Sequence, residues 1–203
     1  CGRCHSVWRE KDWREYEIRG HTFKPGDQLG DHARIVQLPG ANEKPQPWLL
    51  QWLRGNNVSG HFWADGTIRV AGREYNGLLE TACYQRGEMS CLTCHSMHEY
   101  EAPADQVRKD KSADEICVEC HKEIGADVAS HTHHEEESSG SRCQNCHMPH
   151  TTYGLFKAIR SHRITSPAPA AEAAIGKPNA CNLCHLDQSA QWAEAAVATW
   201  QGR

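Results

Sequence analysis

Cys117-Val118-Glu119-Cys120-His121 is one of five copies of a single five-residue pattern; the others run Cys1 to His5, Cys91 to His95, Cys143 to His147 and Cys181 to His185. C-x-x-C-H is the attachment signature of c-type haem. Each cysteine adds across a haem vinyl group to form a thioether, and two intervening residues match the vinyl spacing. The adjacent histidine then binds the iron as proximal ligand. The pattern assigns Cys1, Cys4, Cys91, Cys94, Cys117, Cys120, Cys143, Cys146, Cys181 and Cys184 to thioethers, and His5, His95, His121, His147 and His185 to iron. The expected cofactor is therefore haem c, five per chain and covalently attached. Zinc ribbons take such cysteine pairs two at a time, which five copies cannot satisfy, and have no use for the trailing histidine. Disulfides would use the cysteines but leave the histidines unexplained.

The composition agrees with this reading. Apolar residues make up 38 % of 203 residues and phenylalanine occurs three times, so a conventional core would be poor. Five macrocycles would form much of the core, with the polypeptide wrapped around them. A mainly irregular fold with short α-helices and a small β-hairpin is expected, wound around a stacked haem chain. The formal charge of −4 argues against nucleic acid as a partner. Haem propionates would add about ten negative charges, so a redox partner protein or neighbouring cytochrome should dock through a basic face. No stretch approaches a membrane span. Haem is attached to such motifs outside the cytoplasm, which implies export to the periplasm or cell exterior and a leader upstream. Cys1 is committed to a thioether and is not free for a lipid anchor, so the chain reads as a segment of a longer protein.

Motif starts fall at 1, 91, 117, 143 and 181, and the repeated 26-residue step makes 91–147 a tandem array. Two parts are expected: 1–90, with the first motif and a motif-poor region, and 91–203, a four-haem region ending in a helix. Within the first, Phe62-Trp63-Ala64 and Thr67-Ile68-Arg69-Val70 flank Asp65-Gly66, a hairpin signal. Tyr75, Leu78, Leu79, Ala82 and Cys83 then form one apolar helix stripe closed by Gly87, which puts the unpaired Cys83 on a buried face. Pro47 to Leu53 reads as a short amphipathic helix. Ser112-Ala113-Asp114-Glu115 is a capping box that starts a helix carrying Cys117, Cys120 and His121. Ser166 to Pro178 reads as an extended connector. Asp187 caps a final helix whose buried side is Trp192, Ala193, Ala196, Val197 and Trp200.

Nine histidines remain for the sixth positions: His21, His32, His61, His98, His131, His133, His134, His150 and His162. Five irons need at most five, so bis-histidine ligation throughout is affordable. His95 and His98 lie three apart, as do His147 and His150. On a helix such pairs project on one side, roughly 5–6 Å apart. Two axial ligands must approach from opposite faces, so His98 is expected to reach a different haem from the one His95 holds. Pro149 weakens the same argument for His150. The cluster of His131, His133 and His134 should supply one ligand, with the others solvated or bonded to propionates. His162 is a favoured ligand, its basic neighbours offsetting propionate charge, and His21 is the best candidate in the motif-poor region.

Cys91 to His98, Cys143 to Tyr153 and Pro178 to His185, followed by the Ala/Trp helix, resemble the C-terminal half of a multihaem cytochrome c family with doubled C-x-x-C-H motifs. Tyr84-Gln85-Arg86-Gly87 and the segment before it also match. The resemblance implies a periplasmic or extracellular electron carrier with mainly bis-histidine haems. It also implies distal roles for His21, His98, His162 and a member of the 131–134 cluster, of which His131 and His134 are taken forward. His150 departs from that pattern. The leading expectation is electron transfer without catalysis, as a carrier, a complex subunit or a protomer of a cytochrome homopolymer. The alternative is an oxidoreductase acting on a small nitrogen or sulfur species at one open haem, although no C-x-x-C-K motif occurs.

Overall fold

The computed structural model describes residues 1–40, 42–99 and 106–200. Mainly irregular backbone links thirteen short α-helices among these residues, of which Ala190–Trp200 is the longest. Two small antiparallel ribbons complete the regular structure. Strand β1 (Trp8–Glu10) pairs with β2 (Ala33–Ile35) in the register Trp8 to Ile35, and β3 (Thr152–Gly154) pairs with β4 (Lys157–Ile159) in the register Thr152 to Ile159.

The largest apolar cluster is Val7, Val36, Leu49, Phe62 and Ile68, with Trp48 and Trp52 of the Pro47–Gly55 helix packed against it. Five side chains are few for a chain of this length, and polar groups do much of the remaining fastening. Buried Asn76 accepts from the Val7 amide at 2.7 Å and donates to the Val36 carbonyl at 2.6 Å, which joins the Glu74–Leu79 helix to the chain beside the β1–β2 ribbon. Between the two ends of the sequence, buried Lys177 bridges Asp65 (2.9 Å) and Glu172 (3.1 Å), while Arg163 reaches Glu80 at 3.0 Å. The Trp63 indole donates to the Thr151 carbonyl at 2.9 Å.

Several local expectations need correcting. Asp65-Gly66 turns the chain as expected, with Gly66 left-handed and its amide bonded to Trp63; the arms pair from Trp63 to Thr67 and from Arg69 to His61 about the bridge from Phe62 to Ile68. The other edge of the second arm bonds, through Arg69 and Ala71, to Tyr153 of β3. A two-residue hairpin also lies at β3–β4, where Leu155 (φ 50°) and Phe156 (φ 65°) are both left-handed and fully exposed. The stripe from Tyr75 to Cys83 is broken into Glu74–Leu79 and Ala82–Arg86. Buried Thr81 causes the break: its hydroxyl donates to the Leu78 carbonyl and accepts from the Tyr84 amide, capping the second helix. Cys83 is consequently half-buried.

The connector is not wholly extended. Pro169 opens a helix through Ala174, where proline is preorganised at the first turn and alanine carries it on. The final helix is capped by Ser189, which accepts from the Trp192 amide, and not by Asp187. It buries Ala193 and Val197, while Trp192 and Trp200 stand partly exposed.

Two stability predictions follow from these fastenings. Asn76→Ala leaves a buried amide and a buried carbonyl unpaired and should cost about 3 kcal/mol, read as a lower midpoint in denaturant unfolding of the haem-loaded chain. Burial would raise the Asp65 carboxyl, but the hydrogen bond from Lys177 and that from the Thr67 amide outweigh it and hold it below its ordinary value. A depressed carboxyl stabilises above its unfolded pKa and loses that contribution as pH falls through the folded one. Asp65→Asn should therefore lower the unfolding midpoint at pH 7, with the gap to the parent closing on acidification below the ordinary carboxyl range.

Candidate functional site

The five motifs share one local geometry. In four of them the histidine amide bonds back to the carbonyl of the first cysteine, at 2.9 Å in Cys1–His5, Cys91–His95 and Cys181–His185 and 3.1 Å in Cys117–His121. The fifth is the helix Cys143–His147 itself. Each motif is thus a single turn. The expected capping box is present, Ser112 and Glu115 each accepting the other's backbone amide, but its helix ends at Val118, leaving Cys120 and His121 in the following turn. Asp114 from that helix accepts the Cys143 amide at 3.0 Å and so ties the third motif to the fourth.

None of the eleven cysteines is paired in a disulfide. Among the described residues, no three of His, Cys, Asp or Glu converge in a way that could hold a bare metal ion. Successive motifs instead pack on one another, the helix Cys91–Cys94 on Ala113–Val118 and Ala113–Val118 on Cys143–His147. Burial pushes Cys94 up, and the nearby Cys117 adds to it; burial likewise raises Cys146, with Cys184 adding to it. The four later motifs are therefore neighbours in sequence order.

The histidines sort by what their rings touch. His95 faces His162 with centroids 6.1 Å apart and planes at 28°. His147 faces His131 at 6.1 Å and 16°, and His185 faces His134 at 6.1 Å and 43°. In these pairs Nδ1 donates to a backbone carbonyl: His95 to Gln106 (2.8 Å), His147 to Thr165 (2.9 Å), His134 to Thr132 (2.6 Å) and His162 to Arg160 (3.2 Å). Such bonds fix ring orientation and leave Nε2 as the nitrogen able to bind a metal. Burial lowers the pKa of His162 and of His131, which keeps each imidazole neutral with its lone pair available. Two glycines allow the close approaches: a Cβ on Gly77 would sit 2.7 Å from the Arg163 amide nitrogen, and one on Gly140 would strike the His134 ring.

The remaining histidines differ. His133 stacks on Trp200 at 4.7 Å, while two members of the cluster, His131 and His134, face motif histidines. His32 has both ring nitrogens engaged, by Thr22 at 2.9 Å and Asp27 at 3.3 Å, which leaves none for iron. His98 does not share a helix with His95, because the helix Cys91–Cys94 ends there and His98 lies exposed in a left-handed turn. The same-side argument for this pair therefore loses its premise. His150 is exposed beyond Pro149. His5 bonds to Glu74 (3.3 Å), His61 to the Asn57 carbonyl (2.7 Å) and His21 to Glu10 (2.6 Å). The basic residues beside His162 brace the fold: Arg160 donates to the carbonyls of Gln144 and Met148 at the end of the fourth motif, and Arg163 to Asp65 and Thr67.

Comparison with known proteins agrees with this geometry. A cytochrome c552 family model matches residues 127–203, and a doubled C-x-x-C-H motif model matches residues 84–126. No curated protein matches the sequence. Among solved structures, the fold is similar to the crystal structure of the outer cell wall cytochrome OcwA, with a TM-score of 0.64 at 18 % identity. The similarity covers 100 % of this chain and 51 % of that one, so the chain spans about half the length of that protein. Four of the five C-x-x-C-H turns lie inside the two matched regions, so residues 84–203 are similar to c-type cytochromes with repeated haem-attachment motifs, and the solved structure shares the fold.

Proposed function

We propose that the chain holds five haem c groups and passes electrons along them, three of them with histidine on both faces of the iron. The three facing imidazole pairs carry this reading. Two rings bound across one metal ion through Nε2, with metal–nitrogen bonds of about 2 Å, have centroids about 6 Å apart. His162, His131 and His134 are thus the distal partners of His95, His147 and His185. The cysteine pairs would hold each macrocycle covalently, and the Nδ1 acceptors would hold each ring square to it. Trp192, 5.0 Å from His185, and Trp200, stacked on His133, would keep water from the last site.

A haem iron with both axial positions filled supplies one-electron exchange and has no open position for substrate. The packing of successive motifs on one another supports a closely spaced row of haems running in sequence order. Glu74 extends the row to the first motif, since it bonds to His5 and its charge is felt by both Cys91 and His162. His21 and His98 remain candidates for the two unpaired irons, with His61 and His150 behind them. The covalent attachment chemistry and the cell-wall setting named for the similar structure support an exported protein that meets basic-faced redox partners or neighbouring cytochromes. Carrier, complex subunit and homopolymer protomer all fit that role.

A second reading is favoured by one observation: among the described residues no imidazole ring faces His5, which is anchored through Nδ1 to Glu74. An open position at the first haem would admit a small nitrogen or sulfur species. Turnover of nitrite or sulfite by the electron-loaded protein separates the two readings, because an open first haem would reduce such a species and a row of closed haems would not.

The pairing itself is tested by His162→Met. Haemochrome titration should give five haems per chain for parent and variant. Replacing a histidine by methionine raises a haem potential, so redox titration should show one haem of five shifted upward and four unchanged. Three or more high-spin irons in the parent, or no shifted haem in the variant, would overturn the assignment.

A further inference from the structure

We infer that Glu74 is a positioning residue for the first haem: its carboxylate, bonded to Nδ1 of His5, holds the potential of that haem below the value a neutral acceptor would give. This deepens the electron-transfer reading above and rests on it. Among the described residues, carboxylates meet imidazoles at three places: Glu74 at His5, Glu10 at His21 and Asp27 at His32. Only the first of these involves a motif histidine. His95 and His147 donate instead to the carbonyls of Gln106 and Thr165, which are neutral.

The carboxylate is placed by the backbone around it. Gly72, left-handed at φ 79°, turns the chain, and its amide donates to Oε1 of Glu74 at 2.7 Å, leaving Oε2 to His5 at 3.3 Å. The Tyr75 amide donates to the His5 carbonyl at 2.9 Å. The Tyr75 ring lies against Gly2, where a Cβ would sit 2.6 Å from it. Asn76 then takes the Val7 amide. Residues 72–76 thus clasp the first motif through its own backbone, and the carboxylate and the imidazole are held as one unit.

Charge decides the effect. A carboxylate accepts a stronger hydrogen bond from a ligating imidazole than a carbonyl does. It raises the basicity of the ligand, and the added electron density at iron favours the ferric over the ferrous state. Glu74 forms no ion pair with Lys or Arg among the described residues, whereas Arg3 stands 3.5 Å from Glu10. The Glu74 charge also reaches Cys91 and His162 of the second site through space. The first haem feels it most, the second less and the other three least. Glu74 thereby sets the step in potential from the first haem to the second.

The test compares Glu74→Gln with the parent, both purified with their haems attached. Glutamine keeps the length and an acceptor oxygen but removes the charge. Haemochrome titration should give five haems in each. Redox titration should show one haem shifted upward by at least a tenfold change in its reduction equilibrium, about 59 mV for one electron. A second haem should move the same way by less, and three should stay. The ferric EPR g-values of the most shifted haem should change too, because a weaker imidazole donor alters the ligand field at its own iron, which a distant charge does not. Glu74→Asp, which keeps the charge but draws it back from His5, should shift the same haem by less. His162→Met marks the second haem, so in the double variant with Glu74→Gln the larger shift should fall on an unmarked haem. A larger shift on the marked haem, a downward shift, or equal shifts across the row with unchanged g-values would overturn the inference. Five haems in both proteins with no shift would sink it and leave the electron-transfer reading standing, while fewer than five in the parent would sink both.

Discussion

Three pairs of imidazole rings, each with centroids 6.1 Å apart, set the terms for the rest of this chain. Each joins a histidine fixed in a one-turn motif to one supplied from elsewhere in the sequence, 67 residues away for His162, 16 for His131 and 51 for His134. Rings can face across that gap only if the backbones behind them are held in place. The Nδ1 bonds to carbonyls, the cap at Ser112 and the bare backbones of Gly77 and Gly140 serve that end.

The same constraint accounts for the shortness of the elements. A small apolar cluster around Val36 and Ile68 cannot stabilise 203 residues alone. Chain segments are fastened by buried polar groups instead, with Asn76 between Val7 and Val36 and Lys177 between Asp65 and Glu172. Buried charges of this kind add little net stability but penalise wrong arrangements, because an unpaired member is expensive. Here they join the region after the first motif to the segment beyond the fourth. The later motifs are thereby held against the region that follows the first.

What was legible in the sequence was local and periodic. The motifs, the capping box at Ser112 and the helix beginning at Pro47 each depend on neighbours within four or five residues, and each forms. Local signals misled where a distant partner competed. Asp65-Gly66 forms its hairpin as its composition suggests, but the backbone of 69–71 also pairs with Tyr153, and a second hairpin forms around Leu155-Phe156, a poor turn by composition. Thr81 breaks a helix that the apolar spacing would continue, since its hydroxyl offers the backbone another partner.

The histidines show the division most clearly. Sequence alone marked the five histidines expected to be proximal, because attachment chemistry requires histidine beside the second cysteine, a covalent neighbour. It also singled out His131, His134 and His162 as candidates, through clustering and resemblance, without saying which motif each would face. Only the tertiary structure decided that His131 faces His147 and His134 faces His185, that His133 turns to Trp200, and that Thr22 and Asp27 occupy both nitrogens of His32. The reason is physical: a ring's partner depends on which backbones meet and which nitrogen is already bonded, and neither is encoded in spacing along the chain.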